Sequence, residues 1–216
     1  INTSSKQQKI FTNYTSKQGL KNGDIYTAFA DNSGNVWFGG SGGIFKINEN
    51  SIINYTTKQG LASENINSLN NDKEGNLWIG TYDAGVCKFD GKSFTNFSTD
   101  EGLVHKTVWS ICEDTDGIIW IATRGGLSRY DPKFKNKDGS EGVFMNFKKV
   151  QGLPDSKLST VFQDRFGNII IGSWGGGLSV IKKERAKKLF LPNAEQSKEP
   201  IFENFSSSNG LPNDII

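Results

Sequence analysis

The chain of 216 residues is poor in the groups that most chemistry needs. It has one histidine, His105, in a loop before a strand, so a catalytic or phosphoacceptor reading finds a single player and no catalytic residue is assigned. Its two cysteines, Cys87 and Cys112, stand where other copies of a repeat described below carry Phe, Ser or Asn. They read as free core residues, and no metal-ligand spacing exists. No cofactor is implied. No run of about eighteen apolar residues could span a bilayer, so no direct membrane contact is expected of this segment. Lys and Arg total 25 against 23 Asp and Glu, and a formal charge of +2 gives no general electrostatic footprint for nucleic acid. No signal peptide is visible, and a segment of a longer chain need not carry one. Helical periodicity is missing too, apart from a basic tract at 184–191.

What is present is repetition, with 25 glycines and 12% aromatic residues, the composition of an all-β domain. Gly-Leu pairs end at Leu20, Leu61, Leu103, Leu153 and Leu211. Eleven residues on from the first four stand Asp31, Asp72, Asp114 and Asp164, so one structural unit is copied despite unequal repeat lengths. The fifth position is aliphatic (Ile25, Ile66, Val108, Leu158, Ile216) and the seventh is Thr27, Ser68, Ser110 or Thr160, which reads as a first strand. Each aspartate opens a D-x-x-G hairpin turn, its carboxylate accepting backbone N–H groups and its glycine taking positive φ. The second strands set Val36/Phe38, Leu77/Ile79, Ile119/Ile121 and Ile169/Ile171 on one face and Trp37, Trp78, Trp120 and Ile170 on the other. Both faces are apolar and must be covered. Gly39, Gly80, Ala122 and Gly172 leave room for a neighbouring sheet. A glycine-rich turn leads to third strands at 44–47, 86–89, 127–130 and 178–181, and aromatic pairs around Asn13, Asn54, Asn96, Asn146 and Asn204 form the fourth.

Four strands per copy make a β-propeller of four-stranded antiparallel blades. The whole of 1–216 reads as one propeller segment, with blades at about 24–57, 65–98, 107–148 and 157–206. The stretches 10–15 and 212–216 read as parts of flanking blades, so a segment of a larger propeller is expected, with closure as four blades the alternative. Exposed blade faces and strand edges call for the missing blades or a second subunit to cover them.

Several motif-like stretches belong to this scaffold. The clusters GGSGG and GSWGGG lack the following Lys-Ser/Thr and helix of a phosphate loop. The stretch DTDGII lacks the later ligands of a calcium loop. Asn13, Asn54, Asn96 and Asn204 lie in N-x-S/T triplets because the strand recurs, not as glycosylation acceptors.

The consensus through Gly60-Leu61, Asn65, Ile66, Asp72, Gly75, Leu77-Trp78-Ile79-Gly80-Thr81 and Gly85 resembles the two-component regulator propeller repeat. That resemblance implies a seven-bladed propeller in the periplasmic sensor region of a membrane-anchored hybrid histidine kinase, in a family that controls polysaccharide use. The fourth copy departs, with Ile170 for Trp and Val180 where the others have Lys46, Lys88 or Arg129.

Function is expected where the copies differ. Tyr26, Tyr82, Trp109 and Trp174 are aromatic without a shared structural reason. Tyr26 and Trp109 share the sixth position after the leucine, and Tyr82 and Trp174 share the turn between second and third strands. In a propeller both places lie on one face of the disc, so all four aromatics point to one rim. Arg124 and Ser41 hold the same turn position, with Asp83 and His105 nearby. Aromatic faces stack on sugar rings, and Arg and Asp fix hydroxyls or a uronate carboxylate, so an oligosaccharide is the expected ligand. A propeller docking another protein is the alternative, and a lyase or hydrolase using Asp83, His105 and Asp24 is the third. Insertions at 131–143 and 182–200, the latter basic, read as solvated loops, with a neighbouring domain or a homodimer contact as the other reading.

Overall fold

The computed structural model describes residues 13–20, 23–31, 33–48, 51–136, 141–189 and 200–216. Four antiparallel sheets of four strands each follow one another along the chain, every sheet a meander in sequence order. The first holds β1 (Ile25–Ala30), β2 (Val36–Gly40), β3 (Gly43–Asn48) and β4 (Ser51–Tyr55). The second holds β5 (Ile66–Asn71), β6 (Leu77–Thr81), β7 (Val86–Phe89) and β8 (Phe94–Phe97). The third holds β9 (Val108–Glu113), β10 (Ile119–Thr123), β11 (Gly126–Lys135) and β12 (Glu141–Phe147). The fourth holds β13 (Leu158–Gln163), β14 (Ile169–Ser173), β15 (Leu178–Ile181) and β16 (Glu203–Phe205). The first strands β1, β5, β9 and β13 neighbour one another in succession, so they form the inner edge of an arc of blades. This is β-propeller architecture.

The two apolar faces of each second strand explain how the blades stack. Trp37 of the first blade packs with Leu77 and Ile79 of the second. Trp78 of the second packs with Ile119 and Ile121 of the third. Trp120 of the third packs with Ile169 and Ile171 of the fourth. One tryptophan face thus covers one aliphatic face at every junction. Gly80 permits the approach, because a Cβ there would sit only 2.6 Å from Val108 Cγ1 of the next blade.

Each D-x-x-G turn does more than turn the chain. Asp72 Oδ1 accepts the backbone N–H of Glu74 and Asn76, while Oδ2 accepts the indole Nε1–H of Trp78 at 2.9 Å. Asp31 and Asp114 hold Trp37 and Trp120 the same way, each at 2.8 Å. The carboxylate at the hairpin tip therefore satisfies the one polar atom of the tryptophan that fills the inter-blade core. Across the strand pair a cation lies over each indole: Lys46 at 5.3 Å from Trp37, Lys88 at 5.9 Å from Trp78 and Arg129 at 5.9 Å from Trp120. The fourth blade pairs Ile170 with Val180 in that register, so both members of the contact are replaced together.

The fourth-strand asparagines are structural as well. Asn96, Asn146 and Asn204 donate their amides to the carbonyls of Gly60, Gly102 and Gly152, which tie each outer strand to its own Gly-Leu turn. Cys87 is buried and Cys112 half-buried, both as free thiols.

Two expectations are revised. The insertion at 131–143 is not simply loop, because β11 and β12 extend into a long hairpin up to Lys135 and from Glu141. In the basic insertion a short helix α1, Lys183–Lys188, packs on the fourth blade through Ala186 and Leu189. At the ends, residues 13–15 form no strand, while 10–12 lie outside the described residues. Residues 212–216 form no strand either, yet the Ile216 N–H donates to Ser173 O and its side chain stands over Gly172, as Val108 stands over Gly80.

Candidate functional site

The turn between second and third strands is shaped by the residue that ends the second strand. Thr81 Oγ1 donates to Gly85 O at 2.8 Å and accepts the N–H of Ala84, and Thr123 and Ser173 make the corresponding pairs of bonds in the next two blades. These hydroxyls are fully buried or nearly so. They fix a tight turn whose next residue, Tyr82, Arg124 or Trp174, must project outward. The backbone N–H of that residue donates to the entry of its own first strand: Ser41 to Asp24 O, Tyr82 to Asn65 O, Arg124 to Thr107 O and Trp174 to Lys157 O. The turn also reaches the following blade, since Gly43 N–H donates to Glu64 O and Gly85 N–H to Lys106 O. Turn and strand entry therefore lie on the same face of the arc, as the repeat frame predicts.

On that face the four off-pattern aromatics form a zigzag. Tyr26 and Trp109 come from first strands of the first and third blades, Tyr82 and Trp174 from turns of the second and fourth. Trp109 stands edge-on to Tyr82 with ring centroids 6.1 Å apart, and lies 6.2 Å from Trp174 on its other side. Tyr26 is 59% exposed, Tyr82 46% and Trp174 49%, so these rings are presented to solvent rather than stored in a core. Trp109, held between its neighbours, is half-buried.

Tyr26, Tyr82 and Trp109 line an open cavity of about 670 Å³ together with Asn65 and Asn67. The volume falls within the range that holds a small organic ligand. The two asparagines are not among the residues the sequence pattern singles out. Position alone would have found Asn67, which shares the sixth place after the leucine with Tyr26 and Trp109. Its Nδ2 donates to Val108 O of the next blade at 2.9 Å, fixing the side chain across the junction. Asn65 Nδ2 donates to Asp83 Oδ2 at 3.2 Å.

The remaining predicted residues do not line this cavity. Asp83 is exposed and held by Asn65, and Asp24 accepts the Tyr26 phenol at 3.3 Å. Ser41 Oγ accepts the Asp24 N–H, which ties its hydroxyl to the turn. His105 packs beside Gly125, and its Nδ1 accepts the Thr107 N–H at 3.0 Å. Partial burial, then the nearby Arg124 and Lys106 charges, hold the His105 pKa below its ordinary value, which favours the neutral imidazole. The rim is accordingly divided, with Asp24 and Asp83 on the side of Tyr26 and Tyr82, and Arg124, Lys106 and His105 on the third blade. Among the described residues no group of His, Cys, Asp and Glu could hold a metal ion.

The recurring Gly-Leu, D-x-x-G and Trp-x-Gly positions identify the unit. Residues 19–42, 60–83 and 102–125 match the family described as two component regulator propeller. Each of the three stretches is similar to that repeat, and together they make up a third of the chain. The fourth copy, which lacks both the tryptophan and its cation, lies outside the matched residues. Compared by sequence with curated proteins, the chain matches none.

Several solved structures share the propeller repeats' fold. One is the extracellular domain of BT3049 from B. thetaiotaomicron, named as a hybrid two component system. It superposes with a TM-score of 0.70 at 24% identity over 88% of this chain and 24% of that one. The extracellular domain of BT4673 from the same organism gives 0.63 at 23% identity over 75% and 24%. Virginiamycin B lyase from Staphylococcus aureus gives 0.59 at 14% identity over 77% and 55%. The chain thus spans about a quarter of the two component system domains it resembles, and these likenesses establish the fold.

Proposed function

We propose that this segment is part of the ligand-sensing propeller of a bacterial two-component sensor, and that its aromatic rim holds an oligosaccharide. The observation that carries the reading is the open cavity lined by Tyr26, Tyr82, Trp109, Asn65 and Asn67, with Trp174 beside Trp109 extending the aromatic rim. Flat rings offer their faces to the C–H faces of sugars, and amides and carboxylates match ring hydroxyls. None of the four rings is needed by the repeat, since Asn67 and Ser159 hold the place of Tyr26 and Trp109 in the other blades. The repeat family and the extracellular setting of the two component system domains with this fold both support a sensor facing the periplasm. Binding energy that differs between two arrangements of the parent's domains would carry the signal.

The rim holds Asp83, Asp24 and His105, yet these are tied to separate neighbours, Asn65, Tyr26 and Thr107, instead of converging on one point. The lyase fold is therefore no reason to assign catalysis to this segment, and any kinase activity belongs to other parts of the parent. Calorimetric titration of the complete propeller with a panel of oligosaccharides, repeated for Trp109→Ala and Trp174→Ala, tests the reading. Saturable heat lost in either variant is expected. Absence of heat from every sugar would overturn it in favour of a propeller that docks protein.

A further inference from the structure

The polarity of the cavity narrows the ligand further, an inference that rests on the oligosaccharide reading. Three rings, Tyr26, Tyr82 and Trp109, enclose it, and its five lining residues include no cationic side chain. Each lining amide spends one N–H on the protein: Asn67 Nδ2 on Val108 O, and Asn65 Nδ2 on Asp83. Their Oδ1 atoms can accept. The Tyr26 phenol also donates inward to the protein, to Asp24 Oδ2. The cavity therefore presents ring faces and amide oxygens that can accept, with no cation in its lining and two carboxylates, Asp24 and Asp83, one hydrogen bond behind it.

Ring faces carry negative charge density, and acceptors with flanking carboxylates add to it. An anionic group placed there would meet π faces, lone pairs and two like charges. A cation would meet ring faces, amide oxygens and the field of two carboxylates. The rim cations Arg124 and Lys106, on the third blade beside His105, and Lys157, at the entry of the fourth, do not line the cavity.

We propose that the cavity is a cage for a protonated amine, so that the saccharide it prefers carries a free amino group rather than a carboxylate or only hydroxyls. The Trp109 and Tyr82 rings supply the cation–π surface, Asn65 and Asn67 Oδ1 accept from the ammonium, and Asp83 and Asp24 set the field. Rings around a small cation are worth about ten-fold in affinity over a neutral isostere.

The test is calorimetry on the full chain with four trisaccharides: glucosamine, N-acetylglucosamine, glucose and galacturonate trimers. A parallel titration follows tryptophan fluorescence with tetramethylammonium chloride. The expected result is binding of the glucosamine trimer about ten-fold tighter than the glucose trimer, with the preference shrinking in Tyr82→Ala and in Asp83→Asn. Raising the pH until the ligand amine is neutral should abolish it. Equal affinity for the neutral and amino trimers, or tighter binding of galacturonate, overturns the amine cage and leaves the oligosaccharide reading standing. Fluorescence change with tetramethylammonium but heat from no trisaccharide supports the cage and overturns the oligosaccharide reading. No response to any of the probes overturns both.

Discussion

Replacing Asp72 by alanine tests the link between hairpin tip and inter-blade core. The carboxylate is 6% exposed and Trp78 only 1%, so the indole N–H that Oδ2 accepts has no route to water when the acceptor is removed. An orphaned buried donor costs about 1–3 kcal/mol. The turn N–H groups of Glu74 and Asn76 also lose their acceptor, but the neighbouring Lys73, Glu74 and Gly75 are exposed and water can replace part of those bonds. A total of about 3 kcal/mol follows, of which about 2 belongs to the indole. Blade arrays do not always unfold as one unit, so the loss is best read by native-state hydrogen exchange of β6 and β7 amides beside a urea titration. The decisive measurement is the same substitution in a Trp78→Phe background, where the cost should fall by about 1–2 kcal/mol because no donor is orphaned. An equal cost in both backgrounds would refute the argument, and would mean that Asp72 acts on the turn alone.

Two more predictions concern blade spacing and acid stability. Gly80→Ala places a methyl 2.3 Å from Ser68 Oγ and 2.6 Å from Val108 Cγ1, so the urea midpoint should drop by an equivalent of about 1–3 kcal/mol, whereas an unchanged midpoint would show that the junction is slack. For Asp31, burial pushes the carboxyl upward, but hydrogen bonds from Trp37, Asn35 and Ser33 together hold it below the ordinary value, and Asp164 is held low by Asn168, Phe166 and Gly167. A depressed folded pKa contributes stability that is complete above the unfolded value of about 3.9 and is lost as pH falls through the folded one. Tryptophan fluorescence during acid titration should show unfolding set in below about pH 4, with a shallower dependence in Asp31→Asn, and an unchanged slope would contradict the assignment.

Much of this arrangement is legible in the sequence because each copy checks the others. Leucine-to-aspartate spacing phases the first strand and the turn in four places, and any accident of composition would not recur. The same frame puts Tyr26, Tyr82, Trp109 and Trp174 on one face before any coordinates are seen. Three things were not legible. The Asp–Trp bond joins residues six apart across a hairpin, and the sequence shows both positions without showing that they meet. Asn65 looks like an ordinary polar residue at a strand entry, and only the cavity distinguishes it, whereas Asn67 shares the register of Tyr26 and Trp109. The long β11–β12 hairpin and α1 occur once each, so no second copy exposes them, and α1 is held by burial of Ala186 and Leu189 on the fourth blade instead of by its own periodicity.

The stacking of a tryptophan face on the following aliphatic face gives the arc a direction. A blade made by the ribosome can at once cover its aliphatic side against the blade already synthesised, while the far flank of its own indole stays uncovered until the next second strand emerges. Trp78, for instance, has Asp72, Lys88 and the stacked Phe97 within its own blade, but its remaining apolar cover comes from Ile119 and Ile121, some forty residues later. The aspartate and the cation come from the blade itself, so they would hold the ring in place during that interval. On this view the hairpin bond is also a waiting position in synthesis, which keeps each new blade ready to receive its successor.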